Sequence, residues 1–154
     1  MKIAVVAMGR LGRSPEAELV RIYADRATAA GRALGLGPVE VIEVESRKPG
    51  RTAEAEALAA HIADSRIIAC DETGRPRASR DFAAEMGRLR DDGVRRLVFL
   101  VGGADGLDPG LRARAHDTLA FGPQTWPHAL ARVMLAEQVY RAVTLLAGSP
   151  YHRD

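Results

Sequence analysis

Hydrophobic and polar positions along this 154-residue chain follow two patterns: short apolar runs of strand length, and longer stretches with helical spacing. Ile3 to Met8 reads as a buried strand. Ser14 followed by Pro15 has the form of an N-cap with a first-turn proline. The helix it opens carries Leu19, Val20, Ile22 and Tyr23 and ends near Leu34-Gly35. Val39 to Val44 alternates apolar with acidic positions, as in a half-exposed strand. Thr52 is expected to cap an alanine-rich helix reaching about Ala63, and Arg66 to Cys70 forms a third strand. A polar loop from Asp71 to Ser79, with Gly74 and Pro76, leads into a helix from Ser79 to about Arg90. Arg96 to Val101 is a fourth strand, broken by Gly102-Gly103. Pro109 starts a short helix, Thr118 to Phe121 is a fifth short strand, and His128 to Ala147 is a long final helix. Gly148 to Asp154 forms a tail.

This alternation predicts an α/β fold, a mostly parallel sheet with helices on both faces, as one domain over residues 1–154. Ligands of such sheets bind beyond the carboxyl ends of the strands. That points to three loops: Asp71–Ser79, Gly102–Leu107 and Gly122–Pro127. The last helix is apolar on most of its circumference, so it should be buried on every side, in part by a second subunit.

Composition narrows the class. Hydrophobic residues at 47% and charged residues at 27% suit a soluble globular protein and exclude a disordered chain. A net charge of +2 is too small to coat nucleic acid, so any RNA contact needs a local patch. The one cysteine, Cys70, cannot close an internal disulfide, which suggests a reducing compartment. The longest apolar runs are strand-length, far short of the roughly 20 residues of a spanning helix. The N-terminus lacks a signal-peptide pattern, so a cytoplasmic protein with no membrane association is expected.

The loops carry the candidate chemistry. Gly102-Gly103-Ala104-Asp105-Gly106 can offer backbone amides to a ligand, although its spacing matches neither a Walker A loop nor a dinucleotide fingerprint. Gly122-Pro123-Gln124-Thr125-Trp126-Pro127-His128 is stiffened by two prolines, and its remaining backbone groups suit a purine ring. Trp126 packs either in the core or as an aromatic wall beside a ligand. Glu137 and Arg141 can pair at i,i+4. The tail residues Tyr151, His152 and Arg153 can bind or exchange protons with a polar substrate. His61 and His116 read as helix-surface residues, and four scattered histidines with one cysteine show no metal-ligand spacing.

The stretches FLVGGADGL and GPQTWPHALARVMLAEQVYRAVTLLAGSPYHR resemble the RlmH family, small bacterial SPOUT-class methyltransferases acting on large-subunit ribosomal RNA. The resemblance spans essentially the whole chain and is most specific in its C-terminal half. Two departures stand out: Ala104-Asp105 where many members carry Pro-Glu, and Cys70 where a larger aliphatic residue is common. The resemblance implies a C-terminal trefoil knot, a homodimer, and S-adenosyl-L-methionine held by the three loops. It implies methylation of N3 of a pseudouridine in 23S rRNA of the assembled ribosome, with no metal. By position it assigns cofactor contacts to Cys70, Gly103, Phe121, Gly122, Pro123, Gln124, Thr125 and Trp126. Catalytic candidates are His152, Arg153 and Arg141, with Glu137 as orienter and Arg10 and Arg13 reaching in from the partner subunit. Two other readings fit the pattern: a different nucleotide-cofactor enzyme on a Rossmann-like sheet, and a noncatalytic ribosome-binding dimer.

Overall fold

The computed structural model describes residues 1–152. Its strands are β1 (Lys2–Met8), β2 (Val39–Val44), β3 (Arg66–Cys70), β4 (Arg96–Val101) and β5 (Asp117–Leu119). Its helices are α1 (Pro15–Gly31), α2 (Arg51–Ala59), α3 (Ser79–Asp91), α4 (Pro109–Ala113) and α5 (His128–Leu146). The strands form one sheet in the order β2-β1-β4-β3-β5, and every neighbouring pair is parallel. Parallel pairing forces a crossover after each strand, so the loops leaving the strands gather at one rim.

Period-two alternation divides the core between the two faces. Ile3, Val5 and Ala7 of β1 pack with Phe82, Met86, Leu135 and Val139 from α3 and α5. Ala4, Val6 and Met8 pack with Leu58 of α2 and Leu111 of α4. The central pair β1 and β4 is therefore buried on both sides, which is why their sequences run apolar without interruption. The edge strand β2 keeps the expected apolar–acidic alternation, with Glu40 and Glu43 outward of its buried end.

Three local features differ from the pattern reading. Gly50, at φ +103°, takes the N-cap of α2, and Thr52 lies inside the first turn rather than capping it. That helix stops at Ala59, where the chain turns and brings Ile62 into the core. The fifth strand runs from Asp117 to Leu119, not Thr118 to Phe121, because Ala120 leaves the ladder for a single bridge with Pro76. His116 is not on a helix: its Nδ1 accepts from the Ile67 amide at 3.1 Å beside β3.

The long helix α5 packs on α1 and α3, burying Leu135, Ala136, Val139, Ala142 and Val143. Leu130 remains 41% exposed, so the described chain covers only one side of the helix. Arg132 sits in the buried stripe at 0% exposure. Its guanidinium donates to the Met8 carbonyl and, at 2.9 Å, to the Gly9 carbonyl, with Glu43 Oε1 at 3.4 Å. Burial lowers the pKa of this group, and Glu43 partly opposes the shift. The arginine thus satisfies carbonyls at the carboxyl end of β1 that the ladder leaves open.

Candidate active site

Three turns meet beyond β3, β4 and β5. In the first, Asp71 Oδ1 accepts from the Thr73 amide at 2.9 Å and from Thr73 Oγ1 at 2.6 Å. Arg112 of α4 ties this turn down, with Nη2 donating to Thr73 Oγ1 at 3.0 Å and Nε 3.3 Å from Asp71 Oδ2. In the second, the Gly106 amide donates to the Gly103 carbonyl at 3.1 Å. The chain folds back so closely that a Cβ on Gly102 would stand 2.5 Å from the Gly106 carbonyl carbon. In the third, Gly122 adopts φ +95°, a region that favours glycine. There Trp126 Nε1 donates to the Phe121 carbonyl at 3.2 Å, and Thr125 Oγ1 reaches Glu72 Oε2 of the first turn at 2.8 Å.

The turns enclose a cavity of about 960 Å³, lined among others by Cys70, Gly103, Phe121, Gln124, Thr125 and Trp126. Trp126 is 40% exposed, which settles its choice: it is a wall of the cavity and not part of the core. Gly122 lines a neighbouring groove instead, and Pro123 is exposed and lines neither. Burial, with Asp71 adding to it, pushes the Cys70 thiol up to about 12. The side chain is therefore a neutral wall at physiological pH and not a thiolate nucleophile.

The neighbouring groove, about 580 Å³, runs between α1 and α5 and shares Leu119 and Phe121 with the cavity. It is largely apolar, with Tyr23, Val133 and Met134 among its walls, and Glu137 and Gln138 at its polar side. Glu137 is a hub. Its Oε1 accepts from Arg141 Nε at 2.9 Å, from Arg141 Nη2 at 2.6 Å and from Tyr151 Oη at 3.1 Å. Its Oε2 accepts from Gln138 Nε2 at 2.7 Å, and Ser79 Oγ donates to Gln138 Oε1 at 2.8 Å. Arg141 Nη1 lies 3.1 Å from His152 Nδ1, and its guanidinium stands 5.0 Å from the Tyr151 ring centre.

These contacts set the charge states. The hydrogen bond that Arg141 donates to Glu137 raises the Arg141 pKa, so the guanidinium stays cationic. Burial, followed by the Glu137 charge and hydrogen bond, pushes the Tyr151 phenol up to about 12, so it remains a proton donor. The structure thus brings Glu137, Arg141 and His152 together as the sequence placed them, while Arg153 lies outside the described residues. Gln138 was not a candidate, and its only sequence signal is a polar residue in an apolar helix.

Behind the first turn, the almost buried Arg77 pairs with Asp117 of β5 and Glu85 of α3. Burial works to raise the Asp117 carboxyl, but the Thr118 amide and the Arg77 guanidinium outweigh it and hold the carboxyl below its usual range. Among the described residues, no three His, Cys, Asp or Glu side chains converge as metal ligands. None of the described helices is long and apolar enough to cross a membrane.

Residues 1–152 match the family described as "Predicted SPOUT methyltransferase". The chain is 75% identical to a Phenylobacterium zucineum protein named Ribosomal RNA large subunit methyltransferase H, with both chains covered in full. It is 68% identical, again with full coverage of both, to a protein of the same name from Caulobacter sp.. Among solved structures, a probable methyltransferase from Bordetella pertussis superposes with a TM-score of 0.54 at 17% identity. That alignment covers 92% of this chain and 96% of the other, and it speaks for the fold alone.

Proposed function

This chain belongs to the SPOUT methyltransferase family, and from that premise we propose that it is an S-adenosyl-L-methionine-dependent methyltransferase of large-subunit ribosomal RNA. The finer reading is methylation of N3 of a pseudouridine in 23S rRNA of the assembled ribosome, in the cytoplasm, by a homodimer whose C-terminal segment is threaded as a trefoil knot. Residues 1–154 act as one domain in this reading. The observation that carries it is the convergence of three turns on one cavity of about 960 Å³, a size that suits a nucleoside-bearing ligand.

The residues present fit such a donor. Phe121 and Trp126 offer apolar walls, and the stiff turn between them offers backbone groups to a purine. When bound, the donor supplies a methyl group already activated on a sulfonium, so the protein's share is alignment and electrostatics. Arg141, held cationic by Glu137, favours the anionic form of the target base once its N3 proton has left. His152 and Arg153 complete that environment as the tail closes over the base, and Glu137 acts as a positioning residue. Tyr151 keeps its proton and serves as a donor. Arg10 and Arg13 of a second copy would supply further cationic contacts. A second copy also accounts for the apolar face of α1 and α5, where Leu19 is 42% and Leu130 is 41% exposed.

The test is methyl transfer to ribosomes that lack the modification, read by mass spectrometry of digested RNA. One added methyl on a large-subunit pseudouridine is expected. Ribosome binding without transfer would replace this reading with that of a noncatalytic binder.

A further inference from the structure

We propose that Arg51 and Glu54, at the start of α2, hold the amino-acid end of the methyl donor: Glu54 accepts from its α-ammonium and Arg51 pairs with its α-carboxylate. The assignment rests on the donor reading above and deepens it. The two residues lie three apart on one helix, and so on one face. Arg51 lines the cavity, and its Nη2 donates to the Leu107 carbonyl at 2.9 Å, which anchors the guanidinium against the second turn. Glu54 lies against Gly103 of the same turn. A Cβ built on Gly103 would stand 3.1 Å from Glu54 Oε2 and 3.6 Å from Oε1.

The Glu54 carboxylate is half-buried, and among the described residues no side chain or amide hydrogen-bonds or ion-pairs with it. Of the other carboxylates around the cavity, Asp71 is engaged by Thr73 and Arg112 and Glu72 by Thr125, while Asp105 is exposed to solvent. A partly desolvated carboxylate left without a donor is unfavourable. Set beside a guanidinium at one end of a ligand cavity, it complements a zwitterion.

Position along the rim decides which end of the donor this pair meets. α2 packs beside β1, and Met8, the last residue of β1, approaches the same Gly103 that follows β4. The stiff turn bearing Trp126 follows β5 at the opposite edge of the sheet, with β3 between. A purine seated in that turn leaves the amino-acid end to reach toward α2.

The experiment is calorimetric titration of the full chain with S-adenosylhomocysteine, and with methylthioadenosine, which carries the same nucleoside without the amino acid. Glu54→Gln should weaken S-adenosylhomocysteine binding about tenfold, the loss of one charge-assisted hydrogen bond, and leave methylthioadenosine binding unchanged. The unaltered chain should bind deaminated S-adenosylhomocysteine about tenfold more weakly than S-adenosylhomocysteine, and Glu54→Gln should no longer discriminate between them. Equal weakening of both ligands by Glu54→Gln, or indifference of the unaltered chain to the amino group, overturns the assignment. If Glu54→Gln does not fold, the comparison of analogues on the unaltered chain decides alone. An unaltered chain that binds no S-adenosylhomocysteine at all would remove the donor reading itself, an outcome distinct from the others.

Discussion

The cavity between the turns and the Glu137 hub share Phe121 and Leu119 as a common wall, yet they are built from different materials. The cavity is framed by tight backbone turns that carry its side-chain walls. Gly102 allows one turn to fold against itself, Asp71 closes the first turn on Thr73, and the Thr125–Glu72 bond ties the third turn to the first. The hub is side chains only, from one helix and a terminal segment, gathered on a single carboxylate. A site framed by such turns holds a rigid ligand in a preset shape. A site made of charged side chains sets protonation states, and the tail completes it with Tyr151 and His152.

The sharpest way to break this comparison is to remove Tyr151–Asp154. Methyl transfer should fall by at least about a hundredfold in kcat, while S-adenosylhomocysteine affinity changes less than about threefold. Unimpaired turnover by the shortened chain would end the division of labour between the two regions. A smaller effect of the opposite kind is expected from Gly102→Val, which cannot fit 2.5 Å from the Gly106 carbonyl carbon. It should weaken S-adenosylhomocysteine binding about tenfold or more by displacing the second turn, with the hub's Tyr151–Glu137 contact intact by NMR.

The smallest effect concerns the support behind the first turn. The Asp117 carboxyl is held below its ordinary range in the folded chain. Its stabilisation is therefore complete above the unfolded carboxylate pKa, near 4, and is lost as pH falls through the lower folded value. Thermal unfolding midpoints should drop as pH is lowered from about 5 toward 2, and Asp117→Asn should make that decline shallower. An identical acid limb in both proteins would show that the Arg77–Asp117 pair does not stabilise this support.

The fold was legible where burial dictates residue type. β1 and β4 are covered on both faces and read as unbroken apolar runs, and β2 at the edge reads as an alternation. The rim turns were legible because glycine and proline mark places where the backbone must bend or stiffen. The α2 boundary was not, because a glycine at positive φ starts that helix while a nearby threonine imitates a cap. Arg132 was invisible for a different reason. An arginine in a helix reads as a solvent-facing residue, and its true partners are carbonyls supplied by a remote part of the chain. Glu54 likewise looks like any exposed helical carboxylate until Gly103 is placed against it.

The Arg132 contact spans 124 positions, from the last helix back to the end of the first strand. Neither end of it can be satisfied while the chain is still being synthesised past its middle. The Met8 carbonyl gains this partner only once α5 has packed against the sheet, a contact of high sequence separation that closes late. The first strand and α5 are thereby tied to each other, so this part of the sheet's rim takes its final shape only after α5 has docked.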